Sequence, residues 1–221
     1  YQQLDVMDII TYEPEESWNA EIGGHFSTNN ARFSADVALF WIECFNQQLT
    51  VFPPGQTTGR MMTNAGRTRS FGAEVSFNAI LAEGLVFNGA YGYTNARFRK
   101  FQDGVNDYAG NFIPYAPQNT ASATLSYTLK IKSRWLHNIT LSATGRGAGK
   151  IYWNERNDIS QPFYATLDSS LRFEGEIWAV DFWAKNITNT RYDLFYFESM
   201  GNAFLQRARG TSVGIRLNLD I

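Results

Sequence analysis

The last stretch of the sequence, Arg207–Ile221, reads R-A-R-G-T-S-V-G-I-R-L-N-L-D-I. From Thr211 onward every second residue is Thr, Val, Ile, Leu, Leu, Ile, and between them stand Ser212, Gly214, Arg216, Asn218 and Asp220. Successive side chains of a strand point to opposite faces. One face of this strand is therefore wholly apolar, and the other carries Arg, Asn and Asp. A single strand of this kind fits a soluble sheet as well as a membrane barrel. What decides is whether the other strands repeat the pattern, and how they are joined.

The pattern does recur. Ser17–Thr28 sets Trp18, Ala20, Ile22, Gly24 and Phe26 against Ser17, Asn19, Glu21 and His25. Asn29-Asn30 reads as a tight turn, and Ala31–Phe45 then opposes Phe33, Ala35, Val37, Leu39 and Trp41 to Arg32, Ser34 and Asp36. Thr63–Ile80 places Phe71, Ala73, Val75 and Phe77 opposite Ser70, Glu74, Ser76 and Asn78; Ala82-Glu83-Gly84 turns the chain into Leu85–Arg99. Gln118–Ile131 alternates most cleanly, with Ala121, Ala123, Leu125, Tyr127 and Leu129 on one face and Thr120, Ser122, Thr124, Ser126, Thr128 and Lys130 on the other. Asn138–Trp153, Phe163–Phe173 and Trp178–Lys185 follow, joined by the short link Lys132–His137, the loop Asn154–Pro162 and the turn Glu174-Gly175-Glu176. The other long connections contain Pro53, Pro54 and Gly55, or run over Lys100–Pro117 and Thr190–Gln206. This predicts about nine strands, with connections alternately short and long.

Composition agrees. Aromatic residues make up 15% of the 221 residues, charged residues only 18%, and the formal net charge is −2. Such a balance gives no argument for nucleic acid or for an anionic membrane surface as a partner. No run approaches the roughly 18 apolar residues of a membrane helix, but a membrane strand needs only about 9–11 residues, half of them polar. The one cysteine, Cys44, forbids an internal disulfide. The start, Y-Q-Q-L-D-V-M-D-I-I, lacks the features of a signal peptide and reads as beginning partway through a larger protein.

A soluble sandwich mixes hairpins with crossovers and has no reason to gather its short turns at one end. An up-and-down membrane barrel does. The charges on the apolar faces, Glu43, Arg67, Arg69, Arg97 and Arg209, all fall near long-loop ends. Arg or Lys facing lipid at mid-membrane costs about 2–4 kcal/mol, and close to nothing at the interface. Trp18, Trp41, Tyr91, Tyr93 and Trp178 supply interfacial aromatics. The fold class expected is all-β, an antiparallel up-and-down transmembrane β-barrel; a soluble antiparallel sheet protein is the alternative.

Four stretches resemble the TonB-dependent outer-membrane receptors: Y-E-P-E-E-S-W-N-A-E-I-G (Tyr12–Gly23), N-A-G-R-T-R-S-F-G-A-E-V-S-F (Asn64–Phe77), G-N-F-I-P-Y-A-P-Q-N-T-A-S-A-T-L-S-Y (Gly110–Tyr127) and W-A-K-N-I-T-N-T-R-Y (Trp183–Tyr192). The resemblance implies that residues 1–221 form the C-terminal part of a 22-stranded, plugged barrel, with the plug domain and earlier strands absent. It departs from the family in ending on Ile221 rather than an aromatic residue. It implies an integral outer-membrane receptor that imports a scarce solute (iron–siderophore foremost, or haem, vitamin or glycan) with energy from the TonB complex through the missing N-terminal part. Implied partners are the plug domain, outer-membrane lipid and lipopolysaccharide, and a small-molecule or metal-chelate ligand. A passive porin-like or structural barrel remains the alternative. No enzyme activity and no cofactor are expected.

In this family the outer loops and the plug apex form the ligand site. The aromatic residues of the long loops are therefore the candidate ligand-binding set: Phe101, Tyr108, Phe112 and Tyr115; Tyr152 and Trp153; Phe195 and Tyr196. Phe52 and Phe197 also lie in these loops. The loop Lys100–Pro117 is expected to hold Phe101, Tyr108, Phe112 and Tyr115 toward solvent between two fixed strands. Lumen-facing Glu21, Asp36, Glu74, Arg146, Asp168, Arg172, Asp181, Lys185 and Arg216 are expected to pair with one another or to meet water and the plug. His25 and His137, without spaced Cys or carboxylate partners, make no metal set. His25 beside Ser27 makes no nucleophile–base pair, and T-G-R-G-A-G-K (Thr144–Lys150) lacks phosphate-loop spacing and lies within a strand pattern.

Overall fold

Nine strands lie side by side in chain order, and every neighbouring pair is antiparallel. The computed structural model describes residues 13–51, 61–199 and 202–220. The large sheet contains β1 (Glu16–Ser27), β2 (Phe33–Val51), β3 (Met61–Ala82), β4 (Leu85–Phe101), β5 (Asn119–Lys130), β6 (Asn138–Gly149), β9 (Tyr164–Glu174), β10 (Trp178–Lys185) and β13 (Ser212–Leu219). Two small hairpins interrupt the long connections: β7 (Ile151–Tyr152) with β8 (Ser160–Gln161), and β11 (Asp193–Ser199) with β12 (Asn202–Arg207). No crossover occurs among the described strands, as an up-and-down meander requires.

Register keeps each face chemically uniform. Phe182 pairs with Ile215 and Val180 with Leu217, while between them Asp181 pairs with Arg216. The apolar face is also the exposed one: Ile22 is 72% exposed, Val213 73% and Ile215 68%. This inverts the arrangement of a soluble sheet and suits a sheet whose apolar side meets lipid. On the polar face, cross-strand pairs form. His25 Nδ1 lies 2.7 Å from Asp36, Arg172 3.3 Å from Asp181, and Arg146 pairs with Asp168. Thr124 and Thr144, and Thr128 and Thr140, share hydroxyl hydrogen bonds of 3.0 Å. Each such pair contributes about 0.2–1 kcal/mol. The expectation that the lumen charges pair among themselves therefore holds for Arg146 with Asp168 and Arg172 with Asp181, while Asp36 meets His25, outside that set.

The short turns gather at one end as expected. At residues 28–33 Thr28 N donates to Phe33 O at 2.9 Å, and Ala31 takes a left-handed φ of 52°. Gly84 has φ 74° and sits against the Thr128 carbonyl, so a side chain there has neither the backbone angle nor the space. Gly89 lies under the ring of its cross-strand partner Phe77, which covers the pleat.

Three boundaries differ from the sequence reading. β2 continues six residues beyond Phe45, to Val51, because irregularities at Cys44/Gln47 and Gln47/Gln48 restore pairing with β3 after the alternation breaks. β6 ends at Gly149, φ 127°, and not at Trp153. The connection Thr190–Gln206 is not an open loop: it folds into the β11–β12 hairpin. The glycines of Thr144–Lys150 lie in β6, Gly145 opposite Ala123 and Gly147 opposite Ala121. Tyr12, Phe52, Pro53, Pro54, Gly55 and Ile221 lie outside the described residues.

Candidate functional site

Among the described residues, most buried apolar side chains sit not in a central core but at the long-loop end, among them Phe98, Phe101, Tyr108, Ile151 and Trp153. Residues 102–118 fold back on the end of β4. Asp103 Oδ1 accepts the amides of Val105 (2.8 Å) and Asn106 (2.7 Å), and Gly104 at φ 92° completes the reversal. Tyr108 N then donates to Phe101 O at 2.9 Å, and Gly110 N to Phe98 O at 2.8 Å. The rings of Phe98 and Phe101 come within 4.9 Å, and those of Phe101 and Tyr108 within 5.2 Å.

Phe101 is 2% exposed and Tyr108 8%, which corrects the expectation that both face solvent. The Tyr108 hydroxyl donates to Asp103 Oδ2 at 2.5 Å. Burial, and then the Asp103 carboxylate, push the Tyr108 phenol up to about 12. Burial alone raises the Asp103 carboxyl, but hydrogen bonds from Tyr108, Asn106 and Val105 outweigh it and hold the group below its ordinary value. Phe101 and Tyr108 thus form the internal prop of the loop.

Tyr115 is different. It is 47% exposed, with φ 64° turning its side chain out of the chain path. Its ring lies 5.6 Å from Trp153 and stacks on Phe195 at 5.5 Å, and its hydroxyl donates to Tyr196 O at 2.9 Å. Phe195 leads on to Phe197 (5.7 Å) and Phe204 (4.8 Å). Burial and the Glu155 charge raise the Tyr115 phenol, so it donates as a neutral hydroxyl. Residues 102–118, 150–163 and 186–211 meet here. Polar contacts bind the same elements: Arg156 spans Asp158 (3.1 Å) and Glu198 (3.3 Å), and the Tyr196 hydroxyl donates to Glu198 (2.8 Å). The Asn157 side chain takes both backbone groups of Phe112, accepting from its N–H at 2.6 Å and donating to its carbonyl at 2.9 Å.

The candidate residues therefore divide. Tyr115, Trp153, Phe195 and Tyr196 come together; Phe112 and Tyr152 form a neighbouring stack at 5.4 Å; Phe101 and Tyr108 stand apart. Sequence reasoning missed Phe204, Arg156, Asn157 and Glu198. Phe204 was within reach, since it answers Phe197 across the hairpin; the other three carry no periodic signal.

The segment W-A-K-N-I-T-N-T-R-Y has a physical account. Asn186 and Asn189 take left-handed φ angles of 49° and 50° where β10 ends. Buried Asn186 accepts from Thr190 N (2.9 Å), and its amide donates to the carbonyls of Thr190 (3.0 Å) and Arg209 (3.2 Å). Its own N–H donates to Asp168 at 2.9 Å. One residue, through its side chain and its own N–H, thereby ties β9, β10 and the approach to β13.

His25 is engaged with Asp36, and Ser27 donates to Thr28 O (3.4 Å), so no nucleophile–base pair forms between His25 and Ser27. Among the described residues no group of three or more His, Cys, Asp or Glu could hold a metal ion. A lipid-facing meander with its short turns at one end and aromatic loops at the other defines part of a membrane β-barrel.

The chain belongs to the TonB dependent receptor-like β-barrel family, whose model matches residues 7–187. It is 25% identical over 218 residues to the pesticin receptor of Yersinia enterocolitica, covering 97% of this chain and 30% of that receptor. The crystal structure of the ferric yersiniabactin uptake receptor FyuA from Yersinia pestis superposes with a TM-score of 0.79 at 23% identity, over 94% of this chain and 30% of FyuA. The ferric citrate transporter FecA gives a TM-score of 0.75 at 18% identity, over 97% of this chain and 32% of FecA. The chain thus spans about a third of the length of the relatives it matches, and its sheet is a partial barrel. The family is one of outer-membrane transport receptors, not enzymes.

Proposed function

We propose that residues 1–221 form the C-terminal strands of an outer-membrane receptor that imports a ferric siderophore with energy delivered through TonB. The observation that carries this reading is the partly exposed aromatic cluster of Tyr115, Phe195 and Tyr196, where three long loops meet at one end of a lipid-facing sheet. The names of relatives support the ligand class. Besides the receptors above, the ferrioxamine B receptor of Salmonella typhimurium is 29% identical over 109 residues, 49% of this chain and 15% of that receptor. In this reading the long loops face outward, a plug fills the lumen against the polar strand faces, and Tyr115, Phe195 and Tyr196, with Phe112 and Tyr152 beside them, contribute to the ligand surface, while buried Trp153 supports Tyr115 from beneath. Phe101 and Tyr108 act there through loop shape.

The test uses the full-length receptor in cells stripped of other ferric-chelate receptors. Uptake of radiolabelled ferric siderophores requires TonB. Tyr115→Ala with Phe195→Ala lowers whole-cell ligand binding by roughly tenfold or more at an unchanged amount of heat-resistant folded barrel. Uptake that persists without TonB assigns the chain to a passive barrel instead.

A further inference from the structure

The open rings at the long-loop end sit among charges that discriminate between kinds of iron chelate. Tyr115 is 47% exposed, Phe195 42%, Phe197 41% and Phe204 48%. The hydroxyls beside them are already engaged. Tyr115 donates to the Tyr196 carbonyl at 2.9 Å, and Tyr196 donates to Glu198 at 2.8 Å. What meets a ligand is therefore apolar ring surface, whose faces are electrostatically negative.

The charges around this surface are mostly negative too. Residues 102–118 contain Asp103 and Asp107 and no Lys or Arg. Residues 154–163 contain Glu155 and Asp158 against Arg156 alone. Beyond the Asp193–Arg207 pair, toward its tip, the hairpin contains Glu198 and no base. Five carboxylates thus stand against one guanidinium, and Arg156 is held 3.1 Å from Asp158 and 3.3 Å from Glu198. The Glu155 carboxylate has no cationic partner among the described residues; its backbone carbonyl accepts from Asn111 at 2.8 Å. Bases at this end sit on strands instead. Arg69 faces Arg97, and Arg67 faces Lys100, across the β3–β4 register. Arg97 is taken up by the Gly110 carbonyl (2.6 Å) and the Phe112 ring (3.7 Å), and Lys150 lies over the Tyr152 ring at 4.5 Å. Arg191 and Arg209 lie on the strand side of the Asp193–Arg207 pair.

Three hydroxamates balance the charge of ferric iron, whereas three catecholates leave the complex triply negative. An anionic chelate entering this junction meets carboxylates and negative ring faces. A neutral chelate with apolar flanks meets ring surface at no electrostatic cost. A pendant ammonium is attracted by rings and carboxylates alike. We propose that this site takes ferric chelates of zero or positive net charge, of the hydroxamate type, and rejects anionic ones of the catecholate type. The proposal deepens the siderophore reading above and rests on it.

The test uses full-length receptor in cells stripped of other ferric-chelate receptors, and reads whole-cell binding of radiolabelled iron complexes. Three probes share one iron centre: ferrioxamine B, with a pendant ammonium, its neutral N-acetyl derivative and its anionic N-succinyl derivative. Ferric enterobactin, a tris-catecholate, is the fourth. The ammonium and acetyl forms bind roughly tenfold more tightly than the succinyl form, and the tris-catecholate binds least. Added salt narrows the gap, because the discrimination is by charge. Glu155→Gln keeps the backbone carbonyl that holds Asn111, leaves the amount of heat-resistant folded barrel unchanged, and narrows the gap by about threefold.

Equal or tighter binding of the succinyl form or of the tris-catecholate overturns the proposal. So does a gap that added salt leaves untouched, which marks selection by shape, or a folded Glu155→Gln receptor that keeps the full gap. A receptor that binds none of the four probes refutes the siderophore reading and the charge rule with it. A reversed order refutes the charge rule alone and leaves the siderophore reading standing.

Discussion

Residues 102–118 and the β11–β12 hairpin are alike in composition and opposite in architecture. Both are rich in aromatics, and both connect strands at the long-loop end. In the first, Tyr108 turns inward onto Phe98 and Phe101 at the end of β4, and all three are almost fully buried. In the second, Phe195, Phe197 and Phe204 are about half exposed along a two-stranded ribbon. The difference lies in the residues between the rings. Asp103-Gly104 and Gly110, with a side-chain acceptor and positive φ, return the first loop onto its own strand. The hairpin has period-two spacing, so its rings line one side of a ribbon. Aromatic content locates a loop that packs something; turn chemistry decides whether that something is the loop itself.

The contrast is sharpest at the rings. Phe101→Ala costs about 3–5 kcal/mol of local stability, the usual toll for a buried phenylalanine. Phe197→Ala at the exposed ribbon costs about 0.5 kcal/mol or less. Limited proteolysis of folded receptor reads both, with cleavage within residues 102–118 appearing only for the first. Equal protection in the two variants breaks the distinction between prop and surface.

A smaller effect separates the two tyrosines. Tyr108→Phe removes the hydroxyl donor of a buried carboxylate and costs about 1–3 kcal/mol. Tyr115→Phe loses one exposed hydrogen bond to Tyr196 O, worth about 0.5–1.5 kcal/mol, and shows itself in ligand binding more than in loop protection. Matching losses of protection in the two variants contradict the burial difference.

The smallest effect is an acid one. The carboxyl of Asp103 is held below its ordinary value, so the native loop favours the ionised form. Its contribution is complete above the unfolded carboxyl value of about 4 and is lost as pH falls through the lower folded value. Pepsin therefore cuts within residues 102–118 only below about pH 4, while Asp103→Asn shows no such acid step. A loop in the unaltered receptor that opens as pH rises toward neutrality reverses the sign and refutes the assignment.

Much of the fold was legible in the sequence, for a reason particular to lipid. A lipid-facing strand must show apolar side chains at every second position, so Gln118–Ile131 and the last strand announce themselves residue by residue. Irregularities erase that signal. Past Cys44 two residues oppose one, the alternation slips, and β2 appears to end where pairing in fact continues. The site was legible by composition only. Tyr115 and Phe195 are 80 positions apart, and no local pattern foretells that they stack. Nor does any period mark Asp103 as the acceptor that draws Tyr108 inward.

Asn157 has a consequence beyond geometry. Its side-chain amide offers one acceptor and one donor to the N–H and C=O of Phe112, as a peptide unit in a neighbouring strand does. Two loops joined by the backbone bonds Tyr115 N to Tyr152 O (2.8 Å) and Gln118 N to Lys150 O (3.0 Å) thereby gain a further rung from a side chain. Withdrawing residues 150–163 strips Phe112 of both backbone partners at once, while the bonds of Tyr108, Gly110 and Ile113 still hold the loop to β4. The amide proton of Phe112 therefore exchanges with solvent at a rate set in part by a segment 45 residues further along the chain.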